Sequence, residues 1–555
     1  MADIDVTHTC GSPVEHTLPA TSNEPPAHVL QTVPDNASQS RSDSSKQKEV
    51  DFSHPSTIND PDVIFFVEFD EGDGRNPINF SVFRKWAITF TACGFTGITA
   101  AAISSYTMGF ITMTRDLNCS TLQASVGLSV YALGFSLVPL LTSSLSEEFG
   151  RFRLYIISTL MFMLTQIMVA LAPNIQTVII ARVLGGGFGS TGATLVGGTI
   201  ADIWKPHERG FPMALFAIAA VGSTGLGPLL AGWIEENPNL HWRWIQWISI
   251  IVLNSLRSVT GLYLVGLLLF LKETRSDIIL SRLAQKLRKE KNDERYRARA
   301  EIEKPGLTTL IKISSIRPIS LLLTEPTVLS FSLWIGFTWG VLFCFIDSIS
   351  GEMESIYGFS VGERGTAFIS ITIGSIFGWF ANMYQERLYR KYVDKKGPEA
   401  RLCLALVAAF LLPTGMFVYA WTARPSIHWI VPLIGLTIFM TGAFIIYQVV
   451  FVYLADCYGP YASSALAGQS MCRNLLASVF PLFTQQMYSR LTYKWANTLF
   501  ALISIAMIPV PYILFIYGSA IRKRSKVSQK ILVMAEEQAL REKRSFTNAL
   551  GTSTS

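Results

Sequence analysis

The sequence predicts an all-α membrane protein with twelve transmembrane helices in two six-helix halves. Three observations predict it. Half of the 555 residues are hydrophobic, only 15% are charged, and the mean hydropathy is +0.35, too little charge to cover the surface of a soluble chain of this length. From Trp86 onward, apolar stretches of about 20 residues recur, the length a helix needs to cross a bilayer. Lys and Arg concentrate on alternate connections between those stretches.

Residues 1–85 are polar, rich in Ser, Thr, Pro and Asp, and lack apolar periodicity; they read as a disordered cytosolic tail through about residue 60. The first half, 86–271, holds spans at 86–113, 122–143, 154–172, 177–200, 211–234 and 244–271. A basic connector, 272–325, begins Lys272-Glu273-Thr274-Arg275 and continues through Arg282, Lys286, Arg288, Lys289 and Lys291 to Arg299; it reads as an amphipathic linker on the cytosolic membrane face. The second half, 326–517, holds spans at 327–349, 364–384, 402–421, 429–454, 464–488 and 495–517, and a cytosolic tail, 518–555, follows. These stretches are too long for barrel strands and do not alternate, so helix is the expected form. Span six is long and holds Asn254 and Arg257. A tilted helix, an arginine facing a cavity, or a misplaced exon boundary near 253–259 each accounts for it.

The first apolar stretch lies far from Met1, so no cleavable signal is expected and the N-terminus is placed inside. Cytosolic connections then carry Arg151, Arg153, Lys205, Arg209, the 272–325 cluster, and Arg387 through Arg401; the opposite connections carry little beyond Arg115, Arg243, Arg424, Arg490 and Lys494. Both termini are expected in the cytosol. Asn118-Cys119-Ser120 forms a glycosylation sequon in the first outer loop. The seven cysteines are scattered without CxxC or Cys/His clusters, so neither a disulfide framework nor a metal site is expected. No phosphate loop, metal-ligand pair or nucleophile elbow points to an enzyme, and no cofactor or nucleic-acid partner is expected.

Three motifs suggest transport chemistry. Between spans two and three, Ser143-x-x-x-Glu147-Glu148-Phe149-Gly150-Arg151-Phe152-Arg153 puts an acid beside arginines on a short turn, where ion pairs can make and break as two bundles rock. With Asp202 at the end of span four, Glu147 and Arg151 form a candidate conformational latch near the start of span eleven at Ser463 and Ser464. Span four also carries Arg182 within an apolar run, an expensive placement unless it faces water or a partner. Span five holds Gly222, Gly225, Gly227, Pro228 and Gly232, where Gly-Pro bends a membrane helix and flanking glycines let a neighbour, expected to be span eight, pack closely.

The first of these motifs resembles the major facilitator signature G-x-x-x-D-R-x-G-R-R/K, with Ser143, Glu147, Glu148 and Phe152 departing from it. The third is similar to the antiporter signature G-P-x-x-G-G, with Ala231 replacing one glycine. Asn76-Pro77-Ile78-Asn79, Arg84-Lys85-Trp86, Arg317-Pro318, Glu325-Pro326, Pro398-Glu399-Ala400-Arg401, Tyr453-Leu454-Ala455-Asp456, Tyr461 through Ala465, Arg473, Pro481 and Tyr517-Gly518 resemble, in order, the fungal drug:proton antiporters with twelve spans. That resemblance covers about residues 67–526. It implies the major facilitator fold, a central cavity between the halves, and proton-coupled export of small organic molecules such as drugs, toxins or secondary metabolites.

The partners are then a small molecule, the proton and the lipid bilayer, and the expected form is a plasma-membrane monomer, with the vacuolar membrane as the alternative. Candidates for the substrate and proton pathway are Arg182, Asp347, Arg473, Tyr106, Gln166, Trp339, Asn382 and Gln448. Asp347 is expected near the outer end of span seven. With no acid in span one and no buried acidic pair, bulky apolar cargo fits better than polyamines. An importer or uniporter on the same fold, or a receptor that moves nothing, are the competing readings.

Overall fold

In the computed structural model, the described residues are 29–32, 64–70, 72–205, 208–254, 272–303, 306–525, 527 and 529–531. The chain divides into a small unit, Met1–Asp73 with Leu280–Ile302, and a large one, Gly74–Ile279 with Glu303–Ser555.

The small unit corrects the reading of the tail as structureless. Strand β1 (Val29–Thr32) pairs antiparallel with β2 (Ile64–Val67), which pairs parallel with β3 (Tyr296–Arg297). Val67 packs with Ala284 and Ala298 in a small apolar core. Strands of four, four and two residues are runs too short to stand out in sequence. Arg288 forks onto Glu301 at 2.8 and 3.1 Å. The Arg295 side chain, hydrogen-bonded to Asp293, holds that carboxyl below the usual carboxylate range.

The large unit is helical. In chain order it holds α1 (Val82–Ser105), α2 (Phe110–Asp116), α3 (Thr121–Phe149), α4 (Arg151–Ala170), α5 (Ile175–Ile203), α6 (Gly210–Glu236) and α7 (His241–Asn254). After α8 (Ser276–Lys291) and α9 (Arg299–Glu303) come α10 (Leu307–Thr324), α11 (Pro326–Tyr357), α12 (Val361–Ala367), α13 (Ile369–Lys396), α14 (Cys403–Thr422), α15 (Ile430–Tyr458), α16 (Ala462–Met507) and α17 (Pro509–Arg524). Ser120 starts α3 with a capping box to Gln123, and Ser360 starts α12 the same way with Glu363.

Nine helical segments among the described residues are long and apolar enough to cross a membrane. Two of them, Val361–Thr422 and Ala462–Arg524, are each folded back on themselves. Gln385 donates to Ala400 O at 3.0 Å and accepts from Leu404 N–H at 2.8 Å across Gly397, whose φ is 62°. Tyr488 donates to Asn497 at 2.8 Å across Thr492, also at φ 62°, a reach that a continuous helix of nine residues, about 13 Å long, does not allow. The sixth span of the sequence reading is described only as α7; its remainder, with Arg257 and the 253–259 question from residue 255 on, lies outside the described residues.

Span seven is longer than the sequence suggested. α11 runs to Tyr357, where Gly358 in the left-handed conformation ends it. Glu352, set outside the span by the boundary at 349, is fully buried within it.

Candidate functional site

Where α6 meets α12 and α13 of the other half, the contact is built on glycine. A Cβ on Gly225 of α6 would stand 2.6 Å from Phe368 O and 2.9 Å from Thr372 N, and one on Gly232 would stand 2.8 Å from Val361 O and 3.0 Å from Gly365 Cα. Thr372 fixes the contact by donating to Gly222 O at 2.8 Å. Pro228 lies between these glycines, and α6 meets the α12–α13 junction at Gly225 and α12 at Gly232. Gly227 faces the other way: a Cβ there would meet Ala101 and Ser104 of α1, within its own half. At one end of this seam Glu236 accepts from Gly362 N–H at 2.7 Å and from Ser360 Oγ at 3.2 Å.

At the other end of the helices the latch residues Arg151 and Asp202 meet. Arg151 Nε lies 2.6 Å from Asp202 Oδ2, and Nη2 donates to Oδ1 at 3.2 Å. The third member is Glu273, which the sequence reading left in the connector. Its Oε1 accepts from the backbone N–H of Arg151 at 3.0 Å and of Arg275 at 3.1 Å, and it is 7% exposed. Gly150, at φ 85°, holds a conformation that favours glycine, and a Cβ there would also press on the Glu273 carboxylate. Glu147 lies on the last turn of α3, and its side chain is outside the described set. Arg151 turns toward Asp202 and Leu195 O; none of its hydrogen bonds goes to Ser463 or Ser464.

The second half repeats this arrangement. Gly397 makes the turn, Arg401 pairs with Asp456 at 2.9 Å and Glu386 at 2.6 Å, and Arg522 pairs with Glu399 at 2.7 Å. The spacing Gly-Pro-Glu-Ala-Arg after span eight and an Asp at the end of span ten are the sequence signals of that repeat.

The pathway candidates separate into groups. Arg182 is 1% exposed and wrapped by its own half: it donates to Gly127 O, Ala102 O and Ile103 O at 3.2, 2.9 and 3.4 Å, between the rings of Tyr106 and Tyr131. Carbonyl dipoles and two π-faces stand in for the acid its burial would otherwise demand. It clamps α1, α3 and α5 together, and Tyr106 serves that clamp, donating to Ala124 O at 3.2 Å. Neither faces an open space as the sequence reading expected, because the glycines of span four draw α3 and α5 together: a Cβ on Gly186 would strike the backbone of Tyr131.

Asp347 lines a cavity of about 410 Å³ between the halves, walled by Thr107, Phe110 and Thr121 on one side and Thr484, Tyr488 and Tyr493 on the other. Ser125 of α3 donates to it at 3.3 Å and in turn accepts from Gln485 at 3.3 Å. Glu352, five residues on, lies behind that wall; Tyr419, Tyr488 and Tyr493 face it. Asp347 and Glu352 thus lie on one helix, the first half-buried at the cavity and the second fully buried behind it.

Arg473 of α16 lies against Trp339 and Tyr447, its Cζ 5.0 and 5.2 Å from their ring centres. Gln448, next to Tyr447, is buried. Gln166 is buried on α4 and Asn382 half-buried on α13, and no described contact joins either to these groups. Asn118 is exposed in the loop before α3, at φ 48°.

The profile of the Major Facilitator Superfamily matches residues 90–481, well over half of the chain. The chain belongs to the major facilitator superfamily. Among its facilitator relatives, transporter mfs1 of Schizosaccharomyces pombe is 30% identical over 483 residues, covering 84% of this chain and 89% of that protein. The MFS-type efflux pump MFS2 of Trichophyton rubrum is 33% identical, covering 86% and 79%. Multidrug transporter FLR2 of Candida glabrata is 32% identical, covering 84% and 79%. Among solved facilitators, the Escherichia coli xylose transporter XylE in a partially occluded inward-open conformation superposes with a TM-score of 0.53 at 16% identity, over 78% of this chain and 99% of that one. At that identity the likeness speaks for the fold alone.

Proposed function

We propose that this facilitator exports small, mostly apolar organic molecules by alternating access, in exchange for protons. The observation that carries the reading is the glycine seam of α6 against α12 and α13. A seam with backbone against backbone at Gly225 and Gly232 seals the halves against proton leak while the rest of the interface moves. Relatives named as efflux pumps and multidrug transporters support the direction. Asp347 supplies the proton site, since it lies in the space between the halves and its hydrogen bonds to Ser125 and through it to Gln485 change when that space opens. The protein works as a monomer in the plasma membrane with both termini in the cytosol.

Cells expressing the chain are expected to hold less of a broad probe drug than cells lacking it, and a protonophore is expected to erase the difference. Asp347→Asn should leave the protein at the membrane and remove the protonophore-sensitive part. Accumulation that rises with expression would replace export by import; efflux indifferent to the gradient would replace the antiporter by a uniporter. Orientation has its own check. Glycan is expected at Asn118 if anywhere, and attachment at Asn36 or Asn79 would invert the topology.

A further inference from the structure

Arg182 and Arg473 both lie within apolar spans, and the contrast between them is informative. Every nitrogen of Arg182 has a backbone carbonyl to donate to. Arg473 does not: it donates from Nη2 to Ser470 Oγ at 3.2 Å, its Nε is buried with no acceptor, and among the described residues it pairs with no carboxylate. One helical turn earlier on the same face of α16, Gln469 is 3% exposed, and its Nε2 is likewise buried with no acceptor. Two orphaned donors of this kind are expensive within a membrane span, and a native fold keeps them where something else accepts their hydrogen bonds.

The surroundings narrow what that is. Trp339 and Tyr447 lie 5.3 Å apart as tilted rings beside the guanidinium. The place is the meeting of the two halves: Ser136 of α3 donates to Met471 O at 2.8 Å, and Asn474 donates to Phe135 O at 3.4 Å. A guanidinium and an amide that each hold a buried donor without an acceptor match the oxygens of a carboxylate or a similar delocalised anion, and the two rings match an aromatic or other flat apolar body.

We propose that the cargo carries one acidic group, held by Arg473 and Gln469, on a flat apolar body that packs against Trp339 and Tyr447. This rests on the small-molecule export reading and names its cargo class: organic monoanions, aromatic carboxylates foremost. A small inorganic anion offers the same oxygens or charge without the flat body, and the test separates the two.

Full-length protein in nanodiscs is titrated with 2-naphthoate and with its neutral isostere 2-naphthamide, at neutral pH, following tryptophan fluorescence and thermal unfolding. Naphthoate is expected to bind at least about tenfold more tightly than the amide, the loss typical when a charge-assisted bond is removed. Arg473→Gln should abolish the preference, Gln469→Leu should weaken it, and Arg473→Lys should keep part of it. Equal binding of the two probes, a preference that survives Arg473→Gln, or no binding of either to a protein with unchanged unfolding overturns the proposal. So does displacement of naphthoate by millimolar chloride with no added affinity from the naphthalene ring, which would make the site one for an inorganic anion. Binding is read without flux, so a transporter that proves to import, or to run without protons, still passes or fails this test on its own.

Discussion

Valine in place of Gly225 is expected to abolish efflux while the protein still inserts and reaches the membrane. A Cβ at Gly225 would already stand 2.6 Å from Phe368 O and 2.9 Å from Thr372 N, both backbone atoms of the opposing half, so the neighbour cannot yield by turning a side chain. Forcing extra methyls into a packed interface typically costs on the order of 1–3 kcal/mol. Each 1.4 kcal/mol is about a factor of ten in an equilibrium constant, so a nearly balanced inward/outward equilibrium shifts by about tenfold or more. The hydrogen bond from Thr372 to Gly222 O is lost with the separation. Gly227→Val is the control. Its Cβ would press on Ala101 and Ser104 of α1, so it should lower the thermal stability of the first half rather than open the seam. Vesicle efflux and proton leak, measured together at matched abundance, check both. Normal efflux with Gly225→Val, or equal leak from the two variants, would remove the seam from the mechanism.

How much of this was legible in the sequence depends on the length scale of the signal. Spans of about 20 apolar residues, repeated, leave little choice of fold, and the Gly-Pro run of span five marked the close-packed helix before any contact was known. What the sequence could not tell is which way each glycine faces: Gly225 and Gly227 are two residues apart and lie on different sides of one helix, one toward the opposing half and one toward α1. Arg182 and Arg473 read alike as charges within apolar runs, yet three carbonyls enclose one and leave the other unsatisfied, a difference made by helices far apart in the chain. Glu352 falls beyond a span boundary at 349, because the charged residues that follow interrupt the apolar run while α11 continues for two more turns. Glu273 was read as one charge in a basic connector, because its partner, the Arg151 backbone, is 122 residues away.

Asp202→Asn and Arg151→Gln are each expected to cost most of the transport rate, and the double variant is expected to recover stability without recovering rate. The pair is mostly buried, with side chains 11% and 22% exposed and a contact of 2.6 Å, so removing one partner leaves a charge without its counterion. Breaking such a pair typically costs on the order of 3 kcal/mol, reduced here by the partial exposure of Asp202, whereas removing both charges costs much less. A thermal-unfolding cycle over the wild type, the two singles and the double therefore measures the coupling. The same cycle in efflux separates structure from switching. If the pair serves only to hold α4 to α5, rate should follow stability and return in the double. If the pair switches, breaking and re-forming as the halves exchange access, the double stays slow because neither state retains the contact that distinguishes them. Glu273 sharpens the distinction: it accepts from the Arg151 backbone, so Glu273→Gln keeps the Arg151–Asp202 pair and should slow transport less than either single. A double variant with wild-type rate would reduce the cluster to a structural brace.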